Sequence, residues 1–176
     1  MADKNQELLK VLTTANDSEK ESIITYLRFA RQTEDVSGKN MFVRLAIDEF
    51  AHMTLLDREI NNVAAEKGWV PVEVDKSLIE PLIPKISEKD IKTMGKAKAN
   101  ELAALETARA LEQRAIDHYS ANANNAALPE IKATFTRLAE MEQAHWTMIQ
   151  AEIDNVKKTG FWFDVIEYSV EMSAAD

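Results

Sequence analysis

The chain has no cysteine, and only four glycines and four prolines in 176 residues. The absence of cysteine excludes disulfides, cysteine-ligated zinc or iron–sulfur sites and thiol nucleophiles. Because an average soluble protein has about 12% glycine plus proline, this chain has few turns, and we expect a small number of long elements. The apolar share of 45% and charged share of 29% indicate a globular protein.

Three further features are missing from the sequence. No apolar run reaches the roughly 18 to 20 residues of a membrane span. The polar N-terminus lacks the apolar stretch of a signal peptide. The net charge of −9 argues against phosphate-backbone binding, which needs clustered lysine and arginine. We therefore expect a cytoplasmic protein with neither nucleic-acid nor membrane partners.

The few glycines and prolines divide the chain into stretches rich in helix-forming residues, and Gly38 is taken as the break between the first two stretches. Apolar spacings of three and four predict amphipathic helices near 5–36, 39–67, 88–123 and 129–158. Gly95 falls inside the third of these, Ser87 with Asp90 resembles its N-cap, and Pro129 suits a first helical turn. A long connection near 69–87 can run the length of the bundle. The predicted fold is an all-α four-helix bundle over 1–160, and the aromatic tail at 161–176 is predicted to pack on the bundle or on a neighbouring subunit.

An internal repeat supports this architecture. Seven of the eleven residues at 42–52 recur identically 93 residues later, at 135–145. The same offset pairs Tyr26 with Tyr119 and Trp69 with Trp162. The repeated unit is one helical hairpin, so the two halves should be related by a pseudo-twofold axis.

Polar residues interrupt the apolar stripes at matching points of the repeat. Glu49 and His52 fall within the second helix's stripe, and Glu142 and His145 within the fourth. Each remaining helix adds one glutamate to its apolar face, Glu19 or Glu112. Four buried carboxylates repel one another and are very costly to bury without cations. Two divalent metal ions would neutralise them, and the pattern of two Glu-x-x-His pairs plus two single glutamates is that of ferritin-like di-metal bundles.

We accordingly predict six metal ligands. Glu49 and Glu142 are expected to bridge the two metals, Glu19 and Glu112 to be terminal ligands, and each metal to receive one histidine. Tyr26 and Tyr119 lie seven residues after the single glutamates. They are core aromatics, donors that orient a ligand carboxylate, or electron relays. Glu21, kept as a fallback ligand, and His118 have weaker patterns and are expected at the surface. Asp48, one turn before His52, is also expected there because Met141 takes its place in the repeat, with a role supporting a ligand as the alternative.

These motifs resemble the rubrerythrin branch of the ferritin-like superfamily, over nearly the whole chain. The resemblance rests on Glu19-x6-Tyr26, Phe42-x2-Leu-Ala-x2-Glu49-x2-His52 and their two repeats. It implies a site of two iron ions that reduces hydrogen peroxide or, in some relatives, oxidises ferrous iron with oxygen. Manganese or a mixed site suits the same donors.

The sequence departs from the rubrerythrin pattern in two ways. The four-cysteine rubredoxin domain cannot be present in a chain without cysteine, so electrons are expected from a separate donor such as a rubredoxin-type protein. The extra glutamate one turn from the third-helix ligand is replaced by Arg109 and Ala115. The remaining six-ligand set is closer to that of bacterioferritin.

The sequence thus predicts a homodimeric di-iron oxidoreductase that reduces hydrogen peroxide or oxygen in oxidative-stress protection. The alternatives are a ferroxidase or iron-handling protein without multiple-turnover peroxidase activity, and a structural bundle that has lost its metal.

Overall fold

The computed structural model describes residues 2–65 and 99–163. It contains four long α-helices: α1 (Ala2–Gln32), α2 (Val36–Ala64), α3 (Ala99–Asn125) and α4 (Pro129–Thr159). The predicted all-α four-helix fold is therefore confirmed. The first residues of the third predicted helix, with Gly95 and the Ser87–Asp90 cap, lie outside the described residues, and so do the connection at 69–87 and Trp69.

Local sequence signals fix the helix ends. Asp35 caps α2, because its carboxylate accepts hydrogen bonds from the backbone N–H groups of Ser37 (2.8 Å) and Gly38 (3.2 Å). Pro129 lies in the first turn of α4, as predicted. Gly160 ends α4 in the left-handed conformation, with φ of 78°, which glycine adopts without a steric penalty.

Gly38 lies inside α2, although the sequence analysis took it as the break before that helix. A Cβ at this position would come within 2.8 Å of Cε2 of Trp162 and within 2.8 Å of Cγ2 of Thr33. The absence of a side chain therefore lets the Trp162 indole approach the helix. Trp162 is buried and packs edge-on against Phe42, with ring centroids 6.0 Å apart.

The helices pack most closely within each hairpin, α1 with α2 and α3 with α4, and α1 also contacts α3. The apolar core consists of two clusters. Along α2, Phe42 and Leu45 belong to one cluster and Leu55 and Leu56 to the other. Along α4 the order is reversed, as the pseudo-twofold repeat requires. The residues between the two clusters on each helix are the polar ones, so the fold places them midway along the bundle.

The C-terminal tail is described only at residues 161–163. Trp162 and Phe163 are buried, and the Trp162 indole N–H donates to Glu101 Oε2 at 3.2 Å. Glu101 also accepts the backbone N–H of Glu34 at 2.8 Å. The start of the tail is thus held against both hairpins, while the prediction for residues 164–176 falls outside the described residues.

None of the helices in the described ranges combines the length and the apolar character that crossing a bilayer demands.

Candidate metal centre

The structure brings the six predicted ligand residues together in two overlapping groups. The donor atoms in each group all lie within 4.8 Å of one another. Both groups contain Glu49 and Glu142, one from α2 and one from α4. The first is completed by Glu19 and His52, the second by Glu112 and His145.

Each histidine directs its Nδ1 atom at the carboxylates. In His52, Nδ1 lies 2.9 Å from Glu142 Oε1 and 3.0 Å from Glu49 Oε2. In His145, Nδ1 lies 3.1 Å from Glu142 Oε2 and 3.3 Å from Glu49 Oε1. The two imidazole rings are stacked, with centroids 5.8 Å apart and planes 20° from parallel. Glu49 and Glu142 each contact both histidines, as bridging residues at the centre would.

The two tyrosines donate hydrogen bonds across the pseudo-twofold axis. The Tyr26 hydroxyl on α1 donates to Glu112 Oε1 on α3, and the Tyr119 hydroxyl on α3 donates to Glu19 Oε1 on α1. All four side chains are buried. Each tyrosine therefore orients the glutamate of the opposite hairpin, not the one that precedes it on its own helix.

Mutual contact of the buried groups sets their protonation. Burial disfavours the charged form of His52, but the Glu142 and Glu49 carboxylates outweigh it and raise its pKa well above the ordinary value. The pKa of His145 is raised in the same way against its burial. Burial would raise the pKa of Glu49 and of Glu142, but the two histidines hold both below their ordinary value. These contacts favour the protonated form of both histidines and the ionised form of both glutamates.

The pKa values of Glu19 and Glu112 are shifted in the opposite direction from those of Glu49 and Glu142. Burial raises the pKa of Glu19 well above its ordinary value, and the nearby Glu49 and Glu142 carboxylates raise it further. Burial and Glu49 do the same to Glu112. In the metal-free chain, burial and the neighbouring carboxylates therefore both favour the protonated form of Glu19 and of Glu112.

The residues present fit a pair of divalent cations. Within the described ranges, no lysine or arginine makes an ion pair with the carboxylates of the two donor groups, which are those of Glu19, Glu49, Glu112 and Glu142. Their counter-charge must come from protons or from bound cations. Carboxylate oxygens with one imidazole nitrogen per cation are donors that suit iron and manganese, and two cations with charge +2 each would neutralise the four carboxylates.

Asp48 is buried, so the favoured expectation of a surface position was wrong and the alternative of a supporting role fits the structure better. It is only 3% exposed, and its Oδ2 lies 3.2 Å from His145 Nε2. The signal that could have placed it is its spacing: Asp48 follows Leu45 by three residues and precedes His52 by four, which puts all three toward the bundle interior.

Two other expectations concern residues outside the centre. Glu21 is exposed, as expected, and belongs to neither donor group. His118 was expected at the surface but is half-buried, and its ring lies edge-on to Tyr119 with centroids 5.7 Å apart. Burial lowers the pKa of His118 below its ordinary value.

The sequence analysis missed a second pair of repeat-related buried acids, Glu59 and Glu152. Both are fully buried, two helical turns beyond the histidines of their helices. Glu152 Oε1 accepts the backbone N–H of Phe163 at 2.7 Å, and burial raises the pKa of Glu152 to about 8. The 93-residue offset pairs the two glutamates, which was the available signal.

Comparison with known proteins agrees with this geometry. Residues 10–153 match the model of the rubrerythrin family. No curated protein matched the chain, and no solved structure did. Because the family match spans well over half of the chain and includes all six converging donor residues, the chain belongs to the rubrerythrin family.

Proposed function

We propose that this protein is a di-iron oxidoreductase that reduces hydrogen peroxide or oxygen with electrons from a separate donor protein, in protection against oxidative stress. The observation that supports it most is the pair of donor groups sharing Glu49 and Glu142. A site built around two shared carboxylates holds two metal ions close together, as two-electron chemistry on an O–O bond requires.

Each part of the chain has a role in this proposal. Glu49 and Glu142, which both donor groups share, would hold the two iron ions together, His52 and His145 would supply one imidazole nitrogen each, and Glu19 and Glu112 would complete the two groups. Tyr26 and Tyr119 hold the terminal carboxylates in place through their hydroxyl protons. When bound, two ferrous ions supply two electrons, which with two protons convert hydrogen peroxide to two waters.

The apolar core contributes by excluding water from the centre. The clusters on either side are fully buried at Leu45, Leu56, Leu138 and Ile149. Exclusion of bulk water strengthens every electrostatic interaction between the carboxylates and a bound cation. The electrons are proposed to come from a separate rubredoxin-type protein, because these 176 residues contain no cysteine to hold the iron of a rubredoxin site.

A ferroxidase or iron-handling role is the second candidate, and the surroundings of Glu112 favour it. The positions one turn away hold Arg109 and Ala115. Arg109 donates a hydrogen bond to Gln150 on α4, and Ala115 brings no donor atom. No seventh carboxylate therefore joins the two donor groups among the described residues. Such a site would bind ferrous iron through six fixed ligands, which suits ferrous iron oxidation.

The test is metal analysis of protein purified from iron-supplemented cells, followed by anaerobic reduction and titration with peroxide. We expect two iron ions per chain and a stoichiometric change in the visible spectrum. The Glu49→Ala/Glu142→Ala double variant should lose the iron. The matched control is Glu21→Ala/Glu140→Ala, which removes the same charge from exposed positions. Iron content unchanged in the Glu49/Glu142 variant would contradict the proposal.

Turnover separates the two candidate functions. With a rubredoxin-type donor and its reductase, a peroxidase consumes many equivalents of peroxide per site. A ferroxidase oxidises each ferrous ion once, and the oxidised iron then leaves the centre. Absence of sustained peroxide consumption would therefore favour the ferroxidase role.

We also propose that the protein forms a homodimer through the outer face of α1 and α2. Five large apolar side chains on these helices are 39–58% exposed: Ile24, Leu27, Val43, Ile47 and Phe50. Asn16 on α1 contacts Met53 and Asp57 on α2, so it lies level with residue 55. Because the two helices are antiparallel, Ile24, eight residues after Asn16, lies level with Ile47, eight residues before residue 55. The five side chains therefore form one patch, which we call the α1–α2 patch.

The repeat supplies a contrast within the same molecule. The positions equivalent to the α1–α2 patch on α3 and α4 are polar: Asp117, Ser120, Thr136, Glu140 and Gln143. An apolar patch on a typical monomer covers at most about 300–600 Å², whereas a stable interface buries roughly 800 Å² per partner. The polar residues around the α1–α2 patch would therefore contribute the rest of the interface. A twofold dimer uses the same patch on both subunits, so an apolar surface on one copy would meet an apolar surface on the other.

A further inference from the structure

The two histidines of the candidate centre differ at the nitrogen that faces away from the carboxylates. His145 Nε2 lies 3.2 Å from Asp48 Oδ2. His52 Nε2 is buried and has no hydrogen-bond partner among the described residues. Their Nδ1 atoms, by contrast, face the same two glutamates at similar distances.

The repeat explains the difference. Asp48 immediately precedes Glu49, and the position 93 residues later, immediately before Glu142, is Met141. Both side chains are buried. A thioether is at most a weak acceptor, so the second hairpin has no carboxylate equivalent to Asp48. Of the four positions that differ between the two eleven-residue segments, this is the one whose side chains are buried in both halves.

The difference affects metal binding through the tautomer of each ring. When Nδ1 faces a metal ion, the ring proton is on Nε2. In His145 that N–H can donate to Asp48, which fixes the ring orientation and makes Nδ1 a better donor. In His52 the same N–H stays buried without an acceptor, which carries a desolvation cost.

We propose that Asp48 is a positioning residue that makes the two metal positions inequivalent, so that the position served by His145 binds a divalent ion more tightly. This inference rests on the proposed metal centre. Asp48 acts through His145 and is not itself a member of either donor group.

The experiment is an anaerobic titration of the metal-free full-length protein with Co²⁺, followed by visible absorption and calorimetry. We expect two binding steps of different affinity. Asp48→Ala should weaken the tighter step about 10- to 100-fold and leave the weaker step nearly unchanged. Asp48→Asn should retain much of the tighter step, because its amide oxygen can accept the same hydrogen bond. Asp17→Ala, which removes an exposed acid, is the matched control and should change neither step.

Further variants assign the steps and keep the test decisive if Asp48→Ala fails to fold. His145→Ala should abolish the tighter step, and His52→Ala the weaker one. Met141→Asn, which offers an acceptor at the equivalent position, should strengthen the weaker step. Two equal steps in the wild-type protein, or equal weakening of both by Asp48→Ala, would overturn the inference while leaving the metal centre intact. A wild-type protein that binds no Co²⁺ would overturn both proposals.

Discussion

Each buried tyrosine donates its hydroxyl proton to a glutamate on the other hairpin. The sequence places Tyr26 on the same helical face as Glu19 and Tyr119 on the same face as Glu112. The structure shows that in each case the nearer glutamate along the chain is not the partner. Each tyrosine lies two turns beyond the glutamate of its own helix. At that level it meets the glutamate of the other hairpin, so the two hydrogen bonds cross between α1 and α3.

This crossing predicts which residues are energetically coupled. In a double-mutant cycle measured by chemical denaturation of the metal-free protein, Tyr26→Phe and Glu112→Gln should show a coupling energy of about 1 kcal/mol, the size of one buried hydrogen bond. Tyr26→Phe and Glu19→Gln, on one helix, should be close to additive. Additivity in the first pair and coupling in the second would contradict the observed pairing.

Glu152 predicts a pH dependence of stability. Its pKa is about 8 in the folded chain, against an ordinary value of 4.5, so the folded state retains a proton that the unfolded state loses. Stability contributed by this group is therefore present below pH 4.5 and falls by about 1.4 kcal/mol per unit as the pH rises towards 8. Glu152→Gln removes this loss and should be increasingly more stable than the wild-type protein across that range.

The measurement for Glu152 is urea denaturation of both proteins in the same metal state at several pH values between 4 and 9. Glu140→Gln, at an exposed position, is the control and should show no such trend. A stability difference between Glu152→Gln and the wild-type protein that does not change with pH would refute the assignment.

At the scale of the elements, the helix boundaries show what a sequence pattern can and cannot predict. Helix-forming composition and apolar spacing correctly predicted four long helices, since both properties are local. The start of α2 was wrong by three residues because Gly38 was interpreted as a helix breaker. Its role depends on Trp162, which lies more than 120 residues away in the chain, and no local pattern contains that information.

Gly38 leads to a prediction about the tail. Alanine in a helix interior is normally about 0.5–1 kcal/mol more favourable than glycine. Here its Cβ would come within 2.8 Å of the Trp162 ring, and overpacking costs about 1–3 kcal/mol. Gly38→Ala should therefore lower the melting temperature. In a Trp162→Ala background, where the ring is absent, the same substitution should be neutral or stabilising, and a loss of equal size in both backgrounds would contradict the packing argument.

At the scale of the whole molecule, the α1–α2 patch predicts the effect of one substitution on assembly. Ile47 is 49% exposed, so Ile47→Lys should leave the folded subunit intact and weaken the dimer at least tenfold, because it would place a charge in the apolar interface. Sedimentation analysis of both proteins over a concentration series measures the effect. Glu140→Lys, at the repeat-equivalent position, should not change the dimer. A wild-type protein that is monomeric at tens of micromolar would contradict the proposal.

The candidate centre was largely predictable because a repeat carries information that a single motif lacks. Glu49 with His52 is a common spacing, but its recurrence as Glu142 with His145 on an apolar stripe is not. For Asp48 a supporting role was only the less favoured alternative, since Met141 replaces it in the repeat and its partner His145 lies on another helix. The pairing of each tyrosine with the glutamate of the other hairpin could not be predicted from the sequence either, because it depends on the axial register between α1 and α3.

The pseudo-twofold symmetry of the centre also has an evolutionary consequence. If the two hairpins were separate copies of one chain, a single gene would encode both. Both copies would then carry the same residue, aspartate or methionine, at the position of Asp48 and Met141. Joining the halves in one polypeptide removes that constraint, and each copy can then change alone. Asp48 differs from its repeat equivalent Met141, and Asn16 differs from Arg109, while the six donor positions hold identical residue types in both halves. Fusion of the hairpins is therefore what allows the two ends of a shared centre to specialise.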